Sequence, residues 1–234
     1  METAGQALLQ AGALVFRFDP ELARIVTLSL GVSLAAVLIG ALVGLPLGAT
    51  IAVARFPGRQ GLIVVLNALL GLPSVVVGLI VYLLLSRAGP LGSMGILFTP
   101  PAMVVAQTLL VLPIIAALSR QTIQDAWTEY AEQLNSLGAD SFQAALTLLW
   151  DCRFSLFTIV LAGFGRAVSE VGAVMIVGGN IDGVTRTMTT AIALETSKGD
   201  LPLALALGVV LVGIVLALNV CAYAVKEAAQ RRYG

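Results

Sequence analysis

Five stretches of this chain are apolar over lengths that cross a lipid bilayer, and no other feature narrows its fold so far. A spanning helix needs about 20 mostly apolar residues. The stretches run from about Ala23 to Ala54, Gly61 to Leu85, Pro101 to Leu118, Phe154 to Gly178 and Leu201 to Val225. Hydrophobic residues make up 59% of the chain and charged residues 11%, against roughly 45–50% and about 25% in soluble domains. A soluble fold of that composition could not cover its surface. The sequence therefore predicts an all-α, polytopic membrane protein with about five transmembrane helices.

The first stretch is roughly 45 Å long as a helix, more than the ~30 Å hydrocarbon core. It is expected to tilt, protrude or bend, with Pro46 as the bend. Asp19 can cap it and Pro20 suits its first turn. Ahead of it, residues 1–22 lack a basic leader and carry Glu2, so they do not read as a signal peptide. Ala7–Phe18 reads as an interfacial helix, with a disordered leader as the alternative. Five spans put the termini on opposite sides. Arg55, Arg59, Arg120, Arg153, Lys226, Arg231 and Arg232 then share one side, against Arg17, Arg24, Arg87, Arg186 and Lys198. The positive-inside bias makes the first side cytoplasmic. The N-terminus is then outside, and residues 119–153 and the tail 226–234 face the cytoplasm.

Residues 119–153 interrupt the apolar pattern with seven charged residues. Glu132 is followed by Gly138 and then by the amphipathic run Ala139–Trp150, in which Ala144, Ala145 and Leu148 form an apolar face. A polar segment this long between two spans has a role outside the lipid. Within the spans, Gly40, Gly44 and Gly48 form overlapping GxxxG patterns that let helix backbones approach closely. Gly71-Leu72-Pro73-Ser74 places a proline in mid-span. It reads either as a packing kink or as a bend lining a path, with the Ser74 hydroxyl available there. Arg166 and Glu170 lie deep in the fourth span, one helical turn apart, and can pair. Both a structural pair and a substrate contact fit them. On the outer side, Thr185, Arg186, Thr187, Thr189 and Thr190 gather hydroxyls around one guanidinium, a side chain suited to oxyanions. The alternative is a loop that caps a short helix.

Several classes of function are excluded. A formal net charge of zero leaves no basic footprint for nucleic acid, and histidine is absent. Cys152 and Cys221 fit neither a disulfide framework nor a metal-ligand spacing. There is no Walker loop, HExxH or Gly-x-Ser-x-Gly pattern. No catalytic residue, metal site or cofactor is expected in this chain.

Glu132, Gly138 and the amphipathic run after them resemble the cytoplasmic EAA loop of ABC importer permeases. Gln133 and Leu134 stand where that loop has alanines, and Trp150-Asp151 where Leu-Pro is usual. The Gly-Arg-Ala-x-x-Glu-x-Gly pattern at Gly165–Gly172 resembles the molybdate, tungstate and sulfate permease group. Gly71–Gly92, Gly163–Ile181 and Thr185–Asp200 resemble its tungstate branch most. The similarity covers nearly all of Pro20–Lys226. It implies the type I ABC importer permease fold in a prokaryotic plasma (inner) membrane. It implies a homodimer, two ATPase subunits that carry the ATP, and a soluble extracellular or periplasmic oxyanion-binding protein. The ATPase would meet Glu132, Gly138, Ala139, Ser141, Phe142, Ala145 and Leu148. Pro73, Ser74, Arg166 and Glu170 would belong to the pathway, and Thr185, Arg186, Thr187 and Thr189 to an outer oxyanion contact. Tungstate is the expected cargo, with molybdate or sulfate as alternatives. An ion-coupled secondary transporter remains as a different class, although such proteins usually show internal repeats and none is evident here.

Overall fold

The computed structural model describes residues Pro20–Tyr233. The expected interfacial helix at Ala7–Phe18 and the Asp19 cap lie outside these residues. Among the described residues the regular structure is helical: α1 (Pro20–Val53), α2 (Arg59–Leu69), α3 (Ser74–Leu85), a 3₁₀ turn at Gly92–Met94, α4 (Pro100–Ser136), α5 (Ser141–Asp151), α6 (Arg153–Val168), α7 (Gly172–Gly178), α8 (Met188–Lys198) and α9 (Leu201–Tyr233). Residues divide between two compact units. One holds residues 20–36, Pro73–Gln107 and Gly165–Ala217; the other holds Val37–Leu72, Thr108–Phe164 and residues 218–233.

Three helices are long and apolar enough to span a membrane alone: α1, α4 and the Leu201–Val225 part of α9. The pairs α2 with α3 and α5 with α6 qualify only as bent pairs, which raises the total to five. Helix α1 runs unbroken through Pro46. Its hydroxyl residues return their protons to carbonyls one turn back: Thr27 to Ala23, Ser29 to Ile25 and Thr50 to Pro46, each at 2.8 Å. That satisfies polar groups that lipid would not.

The structure departs from the expected spans in three places. The stretch Gly61–Leu85 is two helices, not one helix with a kink. Leu70, Gly71 and Leu72 close the end of α2 with bonds to carbonyls three residues back, and Pro73 is extended ahead of α3. Proline lacks an N–H and disfavours helical geometry in the residue before it, so the helix stops and restarts. Likewise, Phe154–Gly178 breaks at Ser169–Val171, between α6 and α7. The third span, expected at Pro101–Leu118, continues as α4 to Ser136. Half of the polar segment 119–153 is thus the end of a helix about 55 Å long.

In the unit that contains Val37–Leu72, the glycine ridge of α1 lies against α4. A Cβ on Gly44 would fall 3.2 Å from the Leu112 carbonyl, and one on Gly48 would fall 2.7 Å from the Ala116 carbonyl and 2.8 Å from the Arg120 nitrogen. Backbone meets backbone there. Arg59 closes the end of α1 by donating to the Ile51 carbonyl at 2.7 Å and the Ala52 carbonyl at 3.0 Å, and it also bonds the Gln124 side chain. These are last-turn carbonyls without a partner inside the helix. Gly48→Ala should therefore destabilise the protein by about 1–3 kcal/mol. Gly61→Ala, in the open first turn of α2, should leave stability unchanged or raise it by up to ~1 kcal/mol. Thermal melting of the detergent-solubilised protein separates the two, and equal melting points would contradict the contact.

Candidate functional site

The singled-out residues fall into one cluster in each unit. The first is built at the turn that follows α4. Gly138 adopts φ +75°, and Leu137, Gly138 and Ala139 donate to the Gln133, Asn135 and Leu134 carbonyls. That is a left-handed helix end, which favours glycine. Asp140 then starts α5 with a capping box: its carboxylate accepts from the Gln143 amide at 2.8 Å, and the Gln143 side chain accepts from the Asp140 amide at 3.1 Å. The Asp-x-x-Gln signature was readable in the sequence and is absent from the expected site residues. Glu132 is exposed on the last turns of α4, where its carbonyl accepts from the Ser136 hydroxyl. Ala139 and Ser141 line a cavity of about 300 Å³ with Arg55, Trp127 and Asn135.

Helix α5 has two apolar faces. Ala144, Ala145 and Leu148 pack inward with Ala49, Ala52, Val53, Ile123 and Leu156. Leu148 is 2% exposed. The expected role of Ala145 and Leu148 as direct ATPase contacts is therefore corrected, because both are covered by their own chain. Facing outward are Phe142 (75% exposed), Leu146 (59%) and Trp150 (72%), spaced four apart and so in one row. Leu137 joins them in the preceding turn. The expectation included Phe142 and missed Leu146 and Trp150, although the spacing was there to read. Burying each such side chain is worth about 1.5–3 kcal/mol, and an exposed apolar row of this size marks an interaction surface.

The second cluster centres on Glu170, in the break between α6 and α7. Its side chain is 3% exposed. Arg166 donates to it at 2.5 Å, the Ala173 amide donates at 3.2 Å, and the Ser74 hydroxyl bonds the same carboxylate. The Glu170 carbonyl accepts from the Thr189 hydroxyl at 2.7 Å. One residue thus joins the end of α6 and the starts of α3, α7 and α8. Helix α7 lies close on α3: a Cβ on Gly78 would fall 2.7 Å from the Ala173 Cα, and one on Gly172 would fall 3.0 Å from Ser74 Oγ. Ser74, with Pro73 before it, is therefore brought together with Arg166 and Glu170. Gln107 was not anticipated. It is buried and donates to the Ala167 carbonyl at 3.0 Å.

The threonine cluster turns inward. Thr185, Thr187, Thr189 and Thr190 are all buried. Thr185 donates to the Gly178 carbonyl and accepts from the Ile181 amide, and Thr187 caps α8 in a box with Thr190. Arg186 lies 3.6 Å from Glu21 and 3.5 Å from Asp182. The outer oxyanion contact expected at Thr185, Arg186, Thr187 and Thr189 is corrected on this ground: the hydroxyls are used by the backbone and the guanidinium is flanked by carboxylates. The segment caps α8, whose first turn is buried.

A family model described as "binding-protein-dependent transport system inner membrane component" matches residues 40–234. The chain is 42% identical to a tungstate uptake system permease protein of Peptoclostridium acidaminophilum, over 97% of this chain and 100% of that one. It is also 42% identical to a "probable anion ABC transporter permease protein" of Haloferax volcanii, over 85% of this chain and 88% of that one. A sulfate transport system permease protein of Synechococcus elongatus is 30% identical over 73% of this chain and 62% of its own length.

Arg166→Ala should destabilise the protein by about 3 kcal/mol, because it leaves the buried Glu170 carboxylate without its cation. The double change Arg166→Ala with Glu170→Gln should cost less than the sum of the two single changes. Melting of all four proteins gives the coupling energy, and a value of zero would refute the pair.

Proposed function

The chain belongs to the family of binding-protein-dependent transport system inner membrane components, and from that premise we propose that it imports tungstate as one half of a homodimeric pathway. Membership makes it the non-catalytic permease subunit of an ABC importer, an inner membrane component that works with a binding protein and an ATPase. Tungstate is carried by one observation, the 42% identity along the whole length of a tungstate uptake permease. The sulfate permease is more distant and matches over a shorter stretch. Molybdate is the second reading, since the anion-transporter relative fits either ion.

The ATPase meets the outward row Phe142, Leu146 and Trp150, with Leu137 beside it. Gly138 and the Asp140–Gln143 box aim the row, and Ala144, Ala145 and Leu148 anchor it to the body of the chain. This side is cytoplasmic and the N-terminus is outside. ATP stays on the ATPase, and this chain carries no cofactor. Arg166 and Glu170 brace the helix breaks beside the pathway, so that a path can be lined by broken helices without orphaned backbone groups.

Leu146→Asp should abolish stimulation of ATP hydrolysis by the loaded binding protein while leaving the permease in the membrane. Removing the aromatic at Phe142 or Trp150 should weaken ATPase binding by about 30-fold, as for a central contact residue. Ala145→Asp should instead lower the melting temperature, because the charge enters the core. Wild-type ATPase stimulation in Leu146→Asp would remove the row from the interface.

Uptake of labelled tungstate should require the binding protein. Excess molybdate should compete in proportion to its affinity for the binding protein, and excess sulfate should leave uptake unchanged. Uptake that sulfate blocks as well as unlabelled tungstate would overturn the cargo.

A further inference from the structure

The cavity of about 300 Å³ at the turn before α5 has no part in the role given above to the outward row. Three stretches of one unit close around it: Val53 and Arg55 where α1 ends, Trp127 and Asn135 on α4, and Ala139 and Ser141 where α5 begins. Its wall is mostly polar. We propose that this cavity binds a tetrahedral oxyanion, with the Arg55 guanidinium as its cation and the Trp127, Asn135 and Ser141 side chains as further donors.

Every polar side chain in the wall carries an N–H or O–H group. Arginine and tryptophan bring donors and no acceptor, while asparagine and serine bring both. Among the described residues, none of these four side chains makes a hydrogen bond or ion pair with protein. Arg59, four residues on, differs: its guanidinium is taken up by the Ile51 and Ala52 carbonyls and by Gln124. No carboxylate lines the cavity, so its wall carries one positive charge. Asp125, Glu129 and Glu132 stand on α4 outside the wall, and the Asp140 carboxylate accepts from the Gln143 amide at 2.8 Å. A guanidinium fork meets two oxygens of an oxyanion at once. That leaves the remaining oxygens to the amide, the hydroxyl and the indole. At ~30 Å³ for each water the cavity has room for about ten, so a four-oxygen ion fits with part of its hydration. Bound there, the ion ties the end of α1 to α4 and to the start of α5, and so holds the turn at Gly138.

The proposal rests on neither the cargo nor the ATPase contact. It is tested on the purified full-length permease without binding protein, ATPase or nucleotide. The chain has two tryptophans, so Trp150→Phe leaves Trp127 as its single fluorescent indole. In detergent, at constant pH and ionic strength, the emission is titrated with tungstate, with phosphate and with chloride. An oxyanion should change the emission and saturate, with a midpoint at about 1 mM or below, and chloride should not. Arg55→Gln should raise the midpoint by about 10–100-fold and Ser141→Ala by about five-fold. Arg55→Lys should fall between wild type and Arg55→Gln, because it keeps the charge and loses the fork. Arg55 has no partner in the fold, so Arg55→Gln should melt like wild type, and its weaker binding reads as a lost ligand contact. A preference for tungstate over phosphate would name the delivered cargo as the source. Equal binding, or a preference for phosphate, would name a general cellular oxyanion, and each of these outcomes supports the site. No saturation by either oxyanion up to about 10 mM, the same response to chloride, or an unchanged midpoint in Arg55→Gln would overturn it.

Discussion

A helix interrupted inside a membrane exposes amides and carbonyls that hydrocarbon cannot satisfy, and Glu170 meets one of these amides at the start of α7 while tying in α3 and α8 through their hydroxyls. Its carboxylate takes the Ala173 amide at the start of α7 and the hydroxyl of Ser74 at the start of α3, while its carbonyl takes the hydroxyl of Thr189 in α8. An aliphatic residue there would leave the Ala173 amide and the Ser74 hydroxyl unpaired, at about 1–3 kcal/mol apiece, while the carbonyl that Thr189 uses would remain. Arg166 pairs with the carboxylate, and its own side chain is 42% exposed against 3% for Glu170. The one buried carboxylate thus serves two helix starts, α7 through a backbone amide and α3 through a side-chain hydroxyl.

The long apolar helices α1, α4 and α9 were legible because length and apolarity are stated directly by a sequence. The Arg166–Glu170 pair was legible from its spacing, and Gly138 from its place between two helical patterns. Helix direction was harder. A proline in an apolar run marks a disturbance, but its size depends on whether neighbours can accept the freed backbone groups. At Pro73 the Leu70, Gly71 and Leu72 amides close the last turn of α2 on carbonyls three residues back, and the helix breaks. In α1 the helix continues through Pro46 and the Thr50 hydroxyl uses the Pro46 carbonyl. The same run of letters, apolar residues around a proline, gives two outcomes.

Faces were hardest to read. Helix α5 carries a small apolar face and a large one, and periodicity groups each correctly without saying which turns inward. The small side chains Ala144 and Ala145 face the core because α1 comes close there with Ala49 and Ala52, leaving no room for Phe142 or Trp150. Threonines in the 185–190 segment present the same difficulty. Their number suggests donors for a ligand, yet each hydroxyl meets a backbone group near the ends of α7 and α8. Hydroxyls serve a helix cap as readily as an anion, so only the surrounding chain distinguishes the two uses.

The Gly44–Gly48 contact between α1 and α4 has a consequence for movement. Side chains that interdigitate can change rotamer and let two helices slide by small steps. Here the main chain of one helix comes close to the main chain of the other, with only the Ile115 and Ser119 side chains beside the contact. The two surfaces either stay in register or part altogether. Within that unit α1 and α4 therefore act as one stiff strut, and compliance is left to the places where the hydrogen-bond ladder already stops: the end of α2 before Pro73 and the turn around Gly138.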